Sequence, residues 1–302
     1  MSVAPPTRSS RGLFLGRVLA NEPICSEHWR FVIEVEGFPA AAPGQFLQIL
    51  CAEPSDSGWI GGAYIRRPFS IGGLRRRGLR CELDVLHRAI GVGTRWLSQL
   101  SPGDALSVLG PLGQPFPLVD DRPVAYLVGG GIGLPPLIWL AEALRDAGKQ
   151  SVAFCGARSA DLVPLTRLPQ TAVSSDAATL SFREFSDFNT PVLLSTDDGS
   201  LGAAGRIPDI LARYLDQHAD EARSAVVYTC GPDPMMRATA EVCRARDVSC
   251  FVCLERMMAC GMGTCQSCVV PVRDESADDY WRYRLCCTDG PVFDGDVVLW
   301  GR

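Results

Sequence analysis

Nine residues near the carboxy terminus, Cys260-Gly261-Met262-Gly263-Thr264-Cys265-Gln266-Ser267-Cys268, restrict this chain more than any other stretch. Their spacing is C-x4-C-x2-C, and a further thiol pair, Cys286-Cys287, follows eighteen residues on. A C-x4-C-x2-C run with a distal fourth Cys is the plant-type arrangement for a [2Fe–2S] cluster. Such a cluster needs four thiolates, three from a loop wrapped about it and one from a distant segment. Gly261 and Gly263 let the backbone curl closely, so that amide N–H groups can point at sulfur. A structural zinc site is the plain alternative, but zinc knuckles are usually built from paired C-x2-C units. Here there is one such unit, Cys265 and Cys268, and the second pair is directly adjacent in sequence. Disulfides are the weakest reading for a chain that opens without a secretion signal.

That last point rests on residues 1–12, MSVAPPTRSSRG, which lack the apolar core of a signal peptide and read as a loose tail. Thirteen cysteines without export imply a reducing compartment, the cytoplasm. Among them Cys25, Cys51, Cys81 and Cys155 lie in or beside apolar stretches and are expected to be ordinary buried thiols. The chain has 302 residues, 47% of them hydrophobic, which is material for more than one core. A net charge of −5 argues against a general nucleic-acid partner. Arg75-Arg76-Arg77 is a local exception, expected at a solvated loop tip. Residues 124–141 carry no formal charge, long enough for a membrane span, yet Gly129-Gly130-Gly131, Gly133 and Pro135-Pro136 interrupt them. The stretch reads as strand, glycine turn and helix, and no membrane span is expected.

Three parts follow. Residues 13–118 contain short β-rich runs at 14–19, 29–35, 46–51, 64–71, 81–86 and 105–109, with one helical stretch at 94–100. This pattern predicts an antiparallel β-barrel or sandwich. Residues 122–250 alternate strands (124–128, 151–155, 192–195, 225–230) with helices (137–147, 207–218, 234–246). Alternation of that kind predicts βαβ units and a parallel sheet. Residues 251–302 form a small cysteine-bearing module closed by an edge strand at 297–300.

Within this frame several loops have the chemistry of cofactor binding. Gly129-Gly130-Gly131-Ile132-Gly133 follows a strand and opens a helix, so a pyrophosphate could approach the bare backbone and the helix N-terminus. The spacing is not G-x-G-x-x-G, and a simple tight turn fits equally well. Cys230-Gly231-Pro232 ends another strand, where open α/β sheets collect ligands; a buried Cys before a Pro-capped helix fits too. Arg66-Arg67-Pro68-Phe69-Ser70 could address a flavin's polar edge, or be a strand with a basic rim. Gly91-Val92-Gly93-Thr94 could cradle a phosphate. His28 and His218 read as surface residues.

Taken together, a β-rich domain with R-P-F-S and G-x-G-T, followed by a βαβ domain with G-G-G-I-G and C-G-P, resembles the ferredoxin reductase superfamily. Thr196-Asp197-Asp198-Gly199-Ser200-Leu201-Gly202, the cysteine loop and Cys287-Thr288-Asp289-Gly290-Pro291-Val292-Phe293 are similar to the electron-transfer subunits of two-subunit, NAD-dependent dihydroorotate dehydrogenase. The resemblance implies an FAD-binding barrel, an NAD(H)-binding domain and a [2Fe–2S] module. It implies FAD contacts at Arg67, Pro68, Phe69, Ser70, Leu86, His87, Arg88, Gly93 and Thr94. For the nicotinamide nucleotide it implies Gly129, Gly130, Gly131, Ile132, Gly133, Cys230, Gly231 and Pro232. The cluster ligands it implies are Cys260, Cys265, Cys268 and Cys287, chosen over Cys286 because C-T-D-G-P-V-F fixes the register. Phe69 and Cys286 depart from the family pattern, which has an aliphatic and an apolar residue there. The implied work is electron conduction between NAD+ and an FMN-bearing catalytic subunit that oxidises dihydroorotate in pyrimidine biosynthesis, two copies of each chain forming the assembly. The alternatives are a reductase subunit of an NADH–ferredoxin oxidoreductase or hydrogenase, and a zinc-stapled adaptor without flavin. Arg158-Ser159 leaves the choice between NAD and NADP open.

Overall fold

A computed structural model describes residues 11–52, 63–169 and 179–301. The first domain is a sheet of β1 (Gly12–Cys25), β2 (His28–Glu36), β3 (Phe46–Cys51), β4 (Ala63–Ser70), β5 (Gly73–Arg77), β6 (Arg80–Arg88) and β7 (Ala105–Leu112), with α1 (Val92–Leu97) before β7. All neighbours pair antiparallel in the order β4-β3-β7-β1-β2-β6-β5. The expected barrel is thus a seven-stranded antiparallel sheet; among the described residues no ladder joins β4 to β5. Period-two burial makes the core, with Phe31, Ile33 and Val35 of β2 meeting Cys81, Leu83 and Val85 of β6. The tail expected over 1–12 falls outside the described residues up to position 10, and Gly12 already opens β1.

Arg75-Arg76-Arg77 is a correction. These residues form most of edge strand β5, paired with β6, rather than a loop tip. Backbone pairing ignores side-chain charge, and three arginines on an edge discourage further strand addition. Arg76 donates to the Phe38 carbonyl at 2.7 Å and Arg77 lies 3.7 Å from Glu82. The helix expected at 94–100 starts two residues earlier.

The second domain has β8 (Val124–Gly130), α2 (Leu134–Asp146), β9 (Gln150–Ala157), β10 (Thr179–Leu180), α3 (Arg183–Ser186), β11 (Val192–Thr196), β12 (Ala203–Ala204), α4 (Ile207–Gln217), α5 (Ala219–Ala222), β13 (Ala225–Cys230), α6 (Asp233–Arg244) and β14 (Ser249–Cys253). Strands β11-β9-β8-β13-β14 are parallel, and both faces are covered. Ala125, Leu127 and Tyr228 pack with α2 and α3, while Tyr126, Val128 and Val227 pack with α4 and α6. Residues 124–141 divide into β8, a 3-10 turn and α2, and no helix among the described residues is long and apolar enough to cross a membrane.

The cysteine module adds hairpin β15 (Val269–Arg273) and β16 (Trp281–Leu285), then β17 (Val292–Asp294). Here the sheet does not stop at residue 250. Strand β14 runs across that position, and β17 pairs antiparallel with it as the edge strand. The stretch 297–300, expected as an edge strand, makes only the isolated bridge Val298–Val272. Cys268, Val270, Cys286, Cys287 and Phe293 share one buried cluster with α4, α6 and with Phe46 and Leu112 of the first domain. The module is therefore packed into both domains.

Candidate functional site

Strands β8 and β13 are adjacent and parallel, and the chain leaves β8 in one direction and reaches β13 from the other. Their carboxyl ends therefore form the crevice at which open α/β sheets bind ligands. Gly130-Gly131-Ile132-Gly133 leaves β8, and Cys230-Gly231-Pro232 leaves β13. The two loops touch: a Cβ on Gly133 would lie 2.2 Å from the Cys230 carbonyl oxygen, so only glycine permits the approach. Gly131 adopts φ +55° before α2, which begins Leu134-Pro135-Pro136.

Facing these loops are β4 and β6 of the first domain, and between them lies a cleft of about 760 Å3. It is lined by Arg67, Pro68, Phe69, Ser70, Leu86, His87, Arg88 and Thr94 on one side, and by Gly130, Gly131, Ile132, Gly133, Cys230, Gly231 and Pro232 on the other. Gly93 and Gly129 do not line it. Gly93 packs against Cys51 and Ala63, and Gly129 leaves room for Leu134 and Leu137 of α2. Strand alternation separates the two arginines: Arg67 lines the cleft, whereas Arg66 reaches Ser107, at 2.9 Å to its carbonyl and 2.7 Å to its hydroxyl. The Thr94 hydroxyl accepts from the Gly91 and Ile90 amides at 3.0 and 3.2 Å, closing the turn ahead of α1.

His87 is 1% exposed, and neither ring nitrogen has a partner among the described residues. Phe31 and Phe69 meet its ring edge-on, with centroids 6.1 and 6.3 Å away. Burial, and secondarily His28, push its pKa down to about 4, so the ring is neutral at pH 7. His28 is a second correction, being buried and lining the cleft rather than lying on the surface. Its Nδ1 lies 2.7 Å from the Ser26 carbonyl, which can only accept; Nδ1 therefore carries the proton and Nε2 is left as an acceptor on the Gly131 side. His218 is exposed and stacks on Tyr214. Cys51, Cys81 and Cys155 are buried, whereas Cys25 is half-buried.

Cleft residues that the motifs did not single out include Arg206, close in the chain to α4, and Leu254, Glu255, Arg256 and Met258. The last four lead into the cysteine loop. Arg256 is tied to Asp233 of α6 at 3.0 Å. Their signal was positional: each follows a strand whose carboxyl end faces the crevice.

In the loop itself, Gly261 and Gly263 take φ +67° and +88°. The turn directs the amides of Met262 and Cys265 at the Cys260 sulfur, at 3.4 and 3.3 Å. Cys265 is exposed, its Sγ 3.2 Å from the Ser267 hydroxyl. That contact, followed by the Cys260 backbone, brings its pKa down to about 6. Cys268 and Cys287 are buried side by side, and Cys260 is the next thiol that Cys287 faces. Cys286 points elsewhere: it is fully buried and its S–H donates to the Leu254 carbonyl at 3.4 Å. Among the described residues no group of three or more His, Cys, Asp or Glu side chains is drawn together tightly enough to hold a metal ion. The thiols instead stand as two neighbouring pairs, Cys260 with Cys265 and Cys268 with Cys287, which suits two thiolates on each of two irons. The cleft's volume, the bare glycine loops and the unpartnered His87 nitrogens likewise suit a flavin and a nucleotide.

Comparison with known proteins gives a consistent picture. Residues 255–299 match the iron-sulfur cluster binding domain of dihydroorotate dehydrogenase B, and residues 127–241 match an oxidoreductase NAD-binding domain. The dihydroorotate dehydrogenase B (NAD(+)) electron transfer subunit of Geobacillus thermodenitrificans is 38% identical over 85% of this chain and 87% of that protein. The protein of that name from Caldanaerobacter subterraneus is 31% identical over 94% of this chain and 97% of its own length. Among solved structures, one of an NADH-dependent reduced ferredoxin-NADP oxidoreductase superposes with a TM-score of 0.73 at 26% identity, covering 94% of this chain and 90% of that one. A cytochrome P450 reductase from Amycolatopsis shares the fold, with a TM-score of 0.62 at 20% identity over 82% of this chain and 69% of that one.

Proposed function

The chain belongs to the family of electron transfer subunits of NAD(+)-dependent dihydroorotate dehydrogenase B, and from that premise we propose how its residues serve electron transfer between NAD+ and a dihydroorotate-oxidising catalytic partner. One observation carries the proposal: a single cleft is lined by the first domain, the nucleotide domain and the lead-in to the cysteine loop. On this reading the flavin and nicotinamide share that cleft and the cluster lies just beyond its Leu254–Met258 edge. When bound, a flavin supplies exchange between hydride and single-electron chemistry, and a [2Fe–2S] centre supplies single-electron chemistry alone.

The chain's own residues supply place and environment. Arg67, Pro68, Phe69 and Ser70 with Leu86, His87, Arg88 and Thr94 hold FAD, Arg67 offering positive charge to its phosphates. His87, neutral throughout the physiological range, offers the ring system a hydrogen-bonding group without adding charge. Gly130, Gly131, Ile132 and Gly133 let the NAD(H) pyrophosphate reach the start of α2, and Cys230, Gly231 and Pro232 close around the nicotinamide end. Cys260, Cys265, Cys268 and Cys287 hold the cluster. The loop's outer side, with Met257 89% exposed and Met262 40% exposed, is the face for the partner. That partner carries FMN, two copies of each chain assemble, and the complex works in the cytoplasm.

The test is to prepare the chain anaerobically and assay iron, acid-labile sulfide and FAD, then titrate with NADH and NADPH. Stoichiometric FAD and [2Fe–2S] with bleaching by NADH is expected. Co-expression with the catalytic subunit should yield dihydroorotate-dependent reduction of NAD+. Zinc without labile sulfide would overturn the reading.

A further inference from the structure

Gln48 in β3 is 0% exposed, and neither its Oε1 nor its Nε2 has a partner among the described residues. An amide buried without hydrogen bonds is destabilising, so it marks a place where a partner belongs. Its surroundings say which. Along β3, Leu47 and Ile49 enter the first domain's core, while Phe46 on the opposite face joins the cluster of side chains that holds Cys268 and Cys287. Gln48 shares the face of Phe46. Across the ladder it stands opposite Pro68, which lines the cleft. On its far side is the cysteine loop: a Cβ on Gly261 would lie 2.8 Å from Gln48 Nε2 and 3.0 Å from Oε1. Gly261 directly follows Cys260. The amide is thus wedged between the back of the cleft wall and Gly261, the residue that follows the loop's first thiol.

We propose that Gln48 tunes the two-iron cluster, its Nε2–H donating to a cluster sulfur at the Cys260 end and its Oε1 accepting from the loop backbone. The inference rests on the reading of Cys260, Cys265, Cys268 and Cys287 as cluster ligands. Its physical basis is that a donor aimed at sulfur favours the more negatively charged, reduced form and so raises the cluster's potential. Gln48 therefore helps set which way an electron shared between flavin and cluster resides. Neither the C-x4-C-x2-C spacing nor the flavin motifs contain this residue.

The experiment uses the full holo chain with Gln48→Leu, which removes both polar ends at similar size, and Gln48→Glu, which keeps the shape and replaces the donor. Iron, sulfide and FAD are assayed first, and the cluster's midpoint potential is then measured by EPR-monitored titration, with the FAD potential as internal reference. Gln48→Leu is expected to retain its cluster and shift the one-electron equilibrium about tenfold toward the flavin, equivalent to ~59 mV. Gln48→Glu is expected to shift it further in the same direction. A full cluster with unchanged potential in both variants would refute the tuning role. Loss of the cluster from both variants with FAD retained would refute it as well, leaving Gln48 as loop support. Wild-type protein without iron and sulfide would sink the ligand assignment instead, before Gln48 is in question.

Discussion

His87 owes its chemistry to burial. Its ordinary pKa of 6.5 falls to about 4 in the fold, so the unfolded chain binds the proton more readily between those values. Stability from this residue is complete above pH 6.5 and is lost as pH falls toward 4. Between pH 7 and pH 5 the loss is about 2 kcal/mol. Urea unfolding of wild type and His87→Gln at the two pH values should show the drop shrinking by that amount in the variant; His28, also shifted down by burial, remains in both. Adjacent cysteines make the second case. Cys286 donates to the Leu254 carbonyl inside the core, while its neighbour lies beside Cys268. Cys287→Ser should remove the visible absorption of the cluster, and Cys286→Ala should keep it with lower thermal stability. The family continuation T-D-G-P-V-F had pointed to Cys287. The orientation of each thiol is a matter of strand geometry that spacing alone does not encode.

At the level of elements, what could be seen in advance followed periodicity. Runs with alternating or continuous apolar residues, such as β2, β6 and β8, matched expectation because burial is written into their side chains. Strand β5 escaped because its sequence is charged and its reason for being a strand is a neighbour's backbone. The edge strand β17 was misplaced by a few residues for a related reason. Val297-Val298-Leu299-Trp300 has the better β composition, but β14 ends beside Val292, and pairing goes where the open ladder is. Since β17 lies on the nucleotide domain's sheet and its Phe293 reaches the cluster-bearing core, the two should fail together. Phe293→Ala, from a side chain 8% exposed, should cost about 3 kcal/mol. Thermal melts followed by cluster absorbance and by NADH-dependent flavin reduction are expected to shift downward in step.

Across the whole molecule, three parts of the chain line one cleft. The module is locked to the first domain by Gln114, whose side chain donates to the Thr288 carbonyl at 2.8 Å and whose amide donates to the Gly290 carbonyl at 2.6 Å. It is locked to the second domain through β17 and the Arg256–Asp233 pair. An electron entering from the partner should therefore cross the cluster, while NADH meets the flavin directly. Cys265→Ser, altering the exposed thiol, is expected to keep NADH oxidation with an artificial acceptor within about twofold. Dihydroorotate-dependent NAD+ reduction by the assembled complex should fall at least a hundredfold, of the order produced by loss of a few kcal/mol of transition-state stabilisation. Parallel assays on one preparation separate the two.

By itself the sequence determined the candidate chemistry: three thiols at C-x4-C-x2-C spacing with a later pair, glycine loops after apolar strands, and an Arg-Pro-Phe-Ser strand. These are local matters, since bond lengths, φ freedom and side-chain type fix what a short segment can hold. Tertiary structure alone decided the company each residue keeps. It put Gly133 against the Cys230 carbonyl, turned Cys286 inward, buried His28 and His87 at the cleft, and left the Gln48 amide facing Gly261. Those relations join positions as far apart in the chain as Gln48 and Gly261, through ladder register and packing of cores. No window of sequence contains the energy that fixes them, because that energy comes from surfaces that meet only when the chain is folded.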